Sequence, residues 1–262
     1  MKATKLNLAF GAVFALAVSL LYLPILTVAL YAFFPMAKGS IDFSAPTLGY
    51  LKELTSNDTV LSSLGNSALA ALLSSALSLA VATFYALYLK NRSGYVRAAV
   101  EALIYAPFFL PPIIVGLSLL LASSSSGITR GMGTIVLGHS LFTLAVVYRI
   151  VSVRLGNLPI SLLHASADLG ASRLQSIRFI VLPHLMSAFF AAGLLAVLLS
   201  FDETLITALV AGETTTLPLR LWAMMRVGFS PSINALVVVV IGISLVLSLG
   251  AFATLSRGGR PA

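Results

Sequence analysis

Apolar runs long enough to cross a bilayer recur along the chain, and that fact restricts its fold more than any motif does. About 18 apolar residues in a row mark a membrane-spanning helix candidate, and the first such run extends from Leu6 to Phe34. Charged residues make up 9% of the 262 positions, against about 25% in soluble domains, and the mean hydropathy is +1.03. The expected fold is therefore all-α: one polytopic membrane domain over residues 1–262 with about six transmembrane helices. The sequence holds no cysteine, which excludes disulfides, cysteine-ligated zinc and thiol chemistry.

The expected spans are residues 6–34, 60–89, 98–122, 134–153, 184–212 and 234–255. A basic start at Lys2 and Lys5 suits a signal peptide, but the run behind it is much longer than the roughly 7–15 residues of a signal h-region, so it reads as a retained span bent near Pro24. The polar stretch from Pro35 to Thr59 reads as an extramembrane loop, with a short interfacial helix in SAPTLGYLKEL. Small residues at Ala68, Ala71, Ser75 and Ser78 would let another helix approach the second span closely. Pro111 and Pro112 interrupt the third span, where freed backbone groups need protein or water; a kink is the simpler expectation and a pathway-lining bend the sharper one.

Six spans put both termini on one side. With that side cytoplasmic, Lys2, Lys5, Lys90, Arg92, Arg97, Arg149, Arg154, Arg173, Arg178, Arg257 and Arg260 lie inside, and Lys38, Lys52, Arg130, Arg220 and Arg226 outside. Eleven against five of the 16 basic residues is the positive-inside bias, so topology accounts for the net charge of +8 without nucleic acid. On this assignment the polar interruption at 154–183 is cytoplasmic. It keeps helical periodicity through Leu158, Leu162, Leu163, Leu169, Leu174 and Ile177, so it reads as a structured element rather than a slack loop. Its small residues suit a close fit into a cleft, Gly170 permits a sharp turn, and Arg173 and Arg178 offer charge to a soluble partner. The plainer alternative is an amphipathic helix lying on lipid headgroups.

Within that interruption stand His164-Ala165-Ser166, then Gly170, then Ile180 and Leu182-Pro183. This spacing resembles the "EAA" loop of the membrane subunits of bacterial ATP-binding-cassette importers: E-A-A, three residues, G, nine residues, I, one residue, L-P. His164 replaces the leading glutamate and Ser166 the second alanine, which removes any salt bridge specific to that acid. The resemblance implies a coupling helix, His164 to Leu174, that inserts into a groove of an ATP-hydrolysing subunit. It assigns His164, Ala165, Ser166, Asp168, Leu169, Gly170, Arg173, Ile180, Leu182 and Pro183 to ATPase coupling. The segment from Ser200 to Leu236 is similar to the second-permease side of the spermidine/putrescine branch, through Ser200–Glu203, Leu217-Pro218, Trp222-Ala223-Met224 and Val227–Leu236.

The resemblance further implies a small solute, a polyamine or another amine-bearing compound, with an aminophosphonate or opine as alternatives. It implies two partner ATPase subunits carrying ATP and Mg, a second and non-identical permease, a periplasmic or lipid-anchored substrate-binding protein, and a bacterial cytoplasmic (inner) membrane. No cofactor or metal is expected on this chain. No glycine-rich phosphate loop, metal-ligand cluster or same-side Ser/His/Asp set is present, so it is not expected to be an enzyme. An ion-coupled secondary transporter is the rival class. Such proteins carry internal repeats and intramembrane ionisable residues in both halves, whereas the acids within spans here fall in the second half, apart from Glu101 near a span end.

Asp202 and Glu203 sit in or at the edge of an apolar run, where a charge is expensive and faces protein or a water-filled path. Either acid would meet a cationic solute, or else pair with Arg220 or Arg226 or cap a helix. Trp222 and Tyr85 complete the candidate substrate path: Trp222, with Arg220 and Arg226, at an outer rim or as interface anchors; Tyr85, with Tyr88, Tyr105, Phe108 and Phe109, as rings for an amine. His139 reads as hydrogen-bonded packing inside a span.

Overall fold

The computed structural model describes residues 2–37, 40–90, 92–227 and 231–258. Lys38 and Arg260 of the charge balance, and residues 228–230 of the last similar segment, lie outside them. The helices are α1 (Lys2–Phe33), α2 (Gly49–Thr55), α3 (Asp58–Leu89), α4 (Tyr95–Phe109), α5 (Pro112–Ser125), α6 (Met132–Gly156), α7 (Ile160–Asp168), α8 (Arg173–Ser176), α9 (Leu182–Phe201), α10 (Leu205–Val210), α11 (Leu217–Val227) and α12 (Pro231–Gly258). Among the described residues, five helical stretches are long and apolar enough to cross a membrane, or six when α4 and α5 are taken together as one broken span.

Two compact units are distinguished: residues 1–61 with 221–243, and residues 62–220 with 244–262. In the first, α1 runs unbroken through Pro24, and the Thr27 hydroxyl donates to the carbonyls of Pro24 (2.7 Å) and Leu23 (3.2 Å). The most apolar window of α1 has no buried residue, so this face requires lipid or another protein. After α1, a two-residue antiparallel pair, β1 (Met36–Ala37) with β2 (Ser40–Ile41), turns the chain towards α2, the expected short helix. The Ser44 hydroxyl and N–H both donate to Asp42 and hold its carboxyl below the usual range.

The second unit is built around α6, which packs on α4 and α9, while α5 packs on α10. One core joins Ala82, Ala86 and Leu89 of α3 with Ile104, Tyr148, Val151, Leu155 and Leu185. Along α3 the close-approach stripe is Ser67, Ala70, Ala71, Ser74, Ser75, Ser78 and Ala82, all buried, whereas Ala68 points outward. The stripe thus contains Ala71, Ser75 and Ser78 as expected but not Ala68. Its hydroxyls reach other helices: Ser75 donates to the Gly193 carbonyl at 3.0 Å, and Ser78 to the Ser140 carbonyl at 3.1 Å.

Two expected spans are broken. The third is not a kinked helix over 98–122: α4 and α5 meet at 104°. Pro111 and Pro112 contribute no N–H, and Leu110, placed before proline, is driven to an extended conformation (φ −79°, ψ 143°). Pro112 then starts α5, where its missing donor costs nothing. The fifth span is not one helix over 184–212 either. Its helical path begins at Arg173, passes through a π-helical turn at Ile177–Val181, and ends at Phe201; α10 follows after Asp202–Thr204.

α10 is held by a slot of glycines. A Cβ on Gly138 would lie 2.5 Å from Ile206 Cγ2, and one on Gly116 would lie 3.1 Å from Ile206 Cα. Gly138→Val is therefore expected to displace α10 and destabilise the protein by about 1–3 kcal/mol, the usual cost of overpacking. Thermal unfolding in detergent would show it as a lowered midpoint; an unchanged midpoint would mean that the slot yields.

Candidate functional site

The interruption at 154–183 folds as a helical hairpin, α7 followed by α8. Glycine ends α7: Gly170 has φ +80°, its N–H donates to the Ala167 carbonyl at 2.9 Å, and the next N–H, of Ala171, donates to the Ser166 carbonyl at 3.0 Å. These bonds form the Schellman helix end, in which glycine takes the left-handed position. α8 opens with a reciprocal capping box: Ser172 N–H donates to Gln175 Oε1 (2.7 Å), and Gln175 N–H to Ser172 Oγ (3.3 Å). The Ser166 and Ser176 hydroxyls, 2.8 Å apart, join the two arms.

The base of the hairpin is clasped across 30 positions. Arg154 Nε donates to the His184 carbonyl at 3.1 Å, and His184 Nε2 lies 3.0 Å from the Arg154 carbonyl, to which it must donate. The Ile180-x-Leu182-Pro183 element lies where the π turn ends: the Leu182 N–H reaches the Ile177 carbonyl, five residues back. That wider turn accommodates Pro183, whose ring would otherwise crowd the preceding turn and which has no N–H to give.

The motif residues consequently divide. His164, Ala165, Asp168, Leu169, Gly170, Arg173, Leu182 and Pro183 are exposed, Ile180 is half-buried against the main core, and Ser166 is buried as the tie to Ser176. The hairpin apex shows bare apolar surface: Leu169 is 89% and Leu174 75% exposed. Such side chains beside His164, Asp168 and Arg173 make a surface suited to burial against a protein or a membrane surface. Ser176 and the Arg154–His184 clasp were missed in the sequence because each is defined only by its tertiary partner.

The acids occupy the break between α9 and α10. Glu203 Oε1 accepts the Ile206 N–H at 3.0 Å, so this residue caps α10. Asp202 is exposed, and no ion pair joins either acid to Arg220 among the described residues. Arg220 Nε is buried without a partner. Glu101, the remaining intramembrane acid, accepts from Arg97 Nε (3.0 Å) and from the Tyr148 hydroxyl (2.9 Å).

The aromatic candidates are dispersed. Tyr85 is half-buried against the main core and lies edge-on to Phe84, and Tyr88 stacks beneath Arg92. Tyr105, Phe108 and Phe109 do share a groove of about 360 Å³, but Arg149 lines it too. A guanidinium in the groove opposes an ammonium, so it does not offer a cage for an amine. Trp222 is partly exposed, with Arg226 5.8 Å above its ring. A second cavity of about 740 Å³ is polar, lined by Ser123, Ser124, Arg130, Glu213 and Thr214. It is shaped by Gly212 (φ +58°), where a Cβ would lie 2.5 Å from the Arg130 carbonyl oxygen.

The chain is similar to known membrane transport proteins. Residues 81–256 match the family described as the inner membrane component of binding-protein-dependent transport systems. The putrescine transport system permease protein PotI of Escherichia coli is 34% identical over 231 residues, covering 85% of this chain and 82% of its own length. The spermidine/putrescine transport system permease protein PotC of the same organism is 29% identical over 228 residues, covering 87% and 86%. Among solved structures, a chain of a bacterial ABC transporter importing the acidic polysaccharide alginate superposes with a TM-score of 0.72 at 15% identity, over 99% of both chains. A chain of the MetNI methionine ABC transporter gives 0.56 at 15% identity, covering 78% of this chain and all of its own. At these identities the superpositions speak for the fold.

Proposed function

This chain belongs to the family of inner membrane components of binding-protein-dependent transport systems, a permease subunit of an ATP-driven importer, and on that premise we propose how it works and what it carries. The α7–α8 hairpin is the coupling element, and it docks into a partner ATPase. The observation that carries this reading is the apex: a helix end fixed by Gly170 presents Leu169 and Leu174 to a partner instead of to the chain's own core. Two ATPase subunits, bearing ATP and Mg, close on ATP and draw the coupling helices together. That motion biases the spans between inward-open and outward-open arrangements.

The positive-inside balance supports cytoplasmic termini and a cytoplasmic hairpin in a bacterial inner membrane. One chain supplies one coupling hairpin, so a second permease, a distinct chain, stands opposite it; the unburied apolar face of α1 is available to such a neighbour or to lipid. A periplasmic or lipid-anchored binding protein delivers the solute. The relatives' polyamine substrates support an amine-bearing solute, and Asp202, exposed at the helix break, is the group placed to meet its charge.

Leu169→Asp tests the docking directly. The side chain touches little of its own protein, so folding should persist while co-purification with the ATPase falls. Truncating an interface anchor costs about 2 kcal/mol or more, roughly thirtyfold in affinity. Deleting 164–174 should abolish co-purification and uptake together. Uptake persisting after that deletion would refute the mechanism.

A further inference from the structure

His139 is buried on α6, and both ring nitrogens are engaged by different helices. Nδ1 lies 2.7 Å from Ser200 Oγ near the end of α9, and Nε2 lies 2.8 Å from Thr207 Oγ1 on α10. The direction of these bonds follows from their neighbours. Thr207 gives its one proton to the Glu203 carbonyl at 3.0 Å, so its oxygen must accept from Nε2–H. With Nε2 carrying the proton, neutral imidazole leaves Nδ1 to accept from Ser200, whose oxygen in turn accepts from Ser74 on α3 at 2.8 Å. One chain of donors thus runs Ser74, Ser200, His139, Thr207, Glu203 carbonyl. It passes from one side of the helix break to the other.

That path gives the ring a specific task. Asp202–Thr204 interrupts the helical backbone; the Glu203 carboxyl caps α10, and a single longer bond, from the Glu203 N–H to the Ser200 carbonyl at 3.3 Å, returns to α9. The imidazole adds a direct side-chain link from the last turn of α9 to α10, through one rigid group whose two polar atoms are at a fixed separation. We propose that His139 is a positioning residue: it sets the geometry of the α9–α10 break and thereby the placement of Asp202. The consequence for transport rests on the reading that Asp202 lines the solute's path.

The two bonds can be separated by substitution. The amide of His139→Gln reaches the Nε2 position and keeps a donor for Thr207, whereas His139→Asn reaches only the Nδ1 position, and His139→Leu makes neither bond. Because the chain lacks cysteine, Leu205→Cys provides a spin-label position on α10 whose signal is read against the reconstituted importer without it. His139→Leu, His139→Asn and Thr207→Val should raise label mobility and increase the KM for a polyamine roughly three- to fifteenfold, the range of interhelical hydrogen bonds in membranes. ATPase co-purification should be unchanged, and His139→Gln, which keeps the Thr207 bond but not the Ser200 bond, should recover part of both readouts relative to His139→Leu. Label mobility equal to the parent in Thr207→Val and His139→Asn, or no rescue by Gln, would overturn the proposal. Raised mobility with an unchanged KM would uphold it and instead overturn the placement of Asp202 on the solute's path.

Discussion

Gly170→Leu is expected to uncouple ATP hydrolysis from uptake, whereas His164→Ala leaves coupling largely intact. The glycine's Cβ position is empty space, with no atom within 4 Å, so the penalty is not a clash with a neighbour. It arises from the backbone: φ +80° is the left-handed region, which costs an L-residue with a side chain about 1–2 kcal/mol. The chain escapes that cost only by leaving the Schellman turn. It would then lose the Gly170 and Ala171 bonds that end α7 and the angle at which Leu169 is displayed. At 1.4 kcal/mol per factor of ten, the population of the docking-competent hairpin falls about five- to thirtyfold. Gly170→Asn should lie between the two, because asparagine enters this region more readily than leucine. His164, by contrast, is exposed and no hydrogen bond holds it among the described residues. Solute imported per ATP hydrolysed in proteoliposomes is the discriminating measurement. Equal losses in His164→Ala and Gly170→Leu would show that the histidine, standing at the acid position of the E-A-A pattern this loop resembles, is a contact in its own right.

The division between what sequence discloses and what only structure supplies follows the range of the interactions concerned. Span positions are local: a run such as Leu6–Phe34 must leave water wherever it sits, and the helices form where the runs are. The spacing from Gly170 to Leu182-Pro183 is likewise local, since it places a left-handed helix end and a proline-tolerant turn along one stretch of chain. The bend at Pro111–Pro112 was half-visible. Two prolines mark a break, but the 104° angle depends on α5 packing against α10. The end of α9 at Phe201 was not visible, because Ser200–Gly212 is as compatible with helix as the residues before it. What stops the helix is the cap by Glu203 and the seating of Ile206 between Gly116 and Gly138. His139 was readable as a bonded group, since an intramembrane polar side chain needs partners. That its partners are Ser200 and Thr207, 61 and 68 positions away, required the fold.

At that same break a local contact distinguishes the two neighbouring acids and yields the second large effect. Asp202→Asn should raise the KM for a polyamine by roughly ten- to a hundredfold, while Glu203→Gln should act mainly on stability. Both lie in the non-helical break between α9 and α10, yet their surroundings differ. Here Glu203 is half-buried with one oxygen committed to the Ile206 N–H, and Asp202 is open with no such commitment. Removing a charged partner from a hydrogen-bonded ion contact costs about 1.5–3 kcal/mol, which gives the range above. The glutamine retains a carbonyl oxygen for the cap and should lower the unfolding midpoint only slightly, whereas Glu203→Ala should lower it more, by the roughly 1 kcal/mol typical of a lost cap. Two controls make the charge itself the variable. The Asp202→Asn defect should shrink as ionic strength rises, because screening already weakens the parental interaction. Asp202→Glu, which keeps the charge on a longer stem, should retain most of the affinity. Uptake of a polyamine by Asp202→Asn at the parental KM, with the cap variants behaving as stated, would remove Asp202 from the solute's path and leave the break as a purely structural joint.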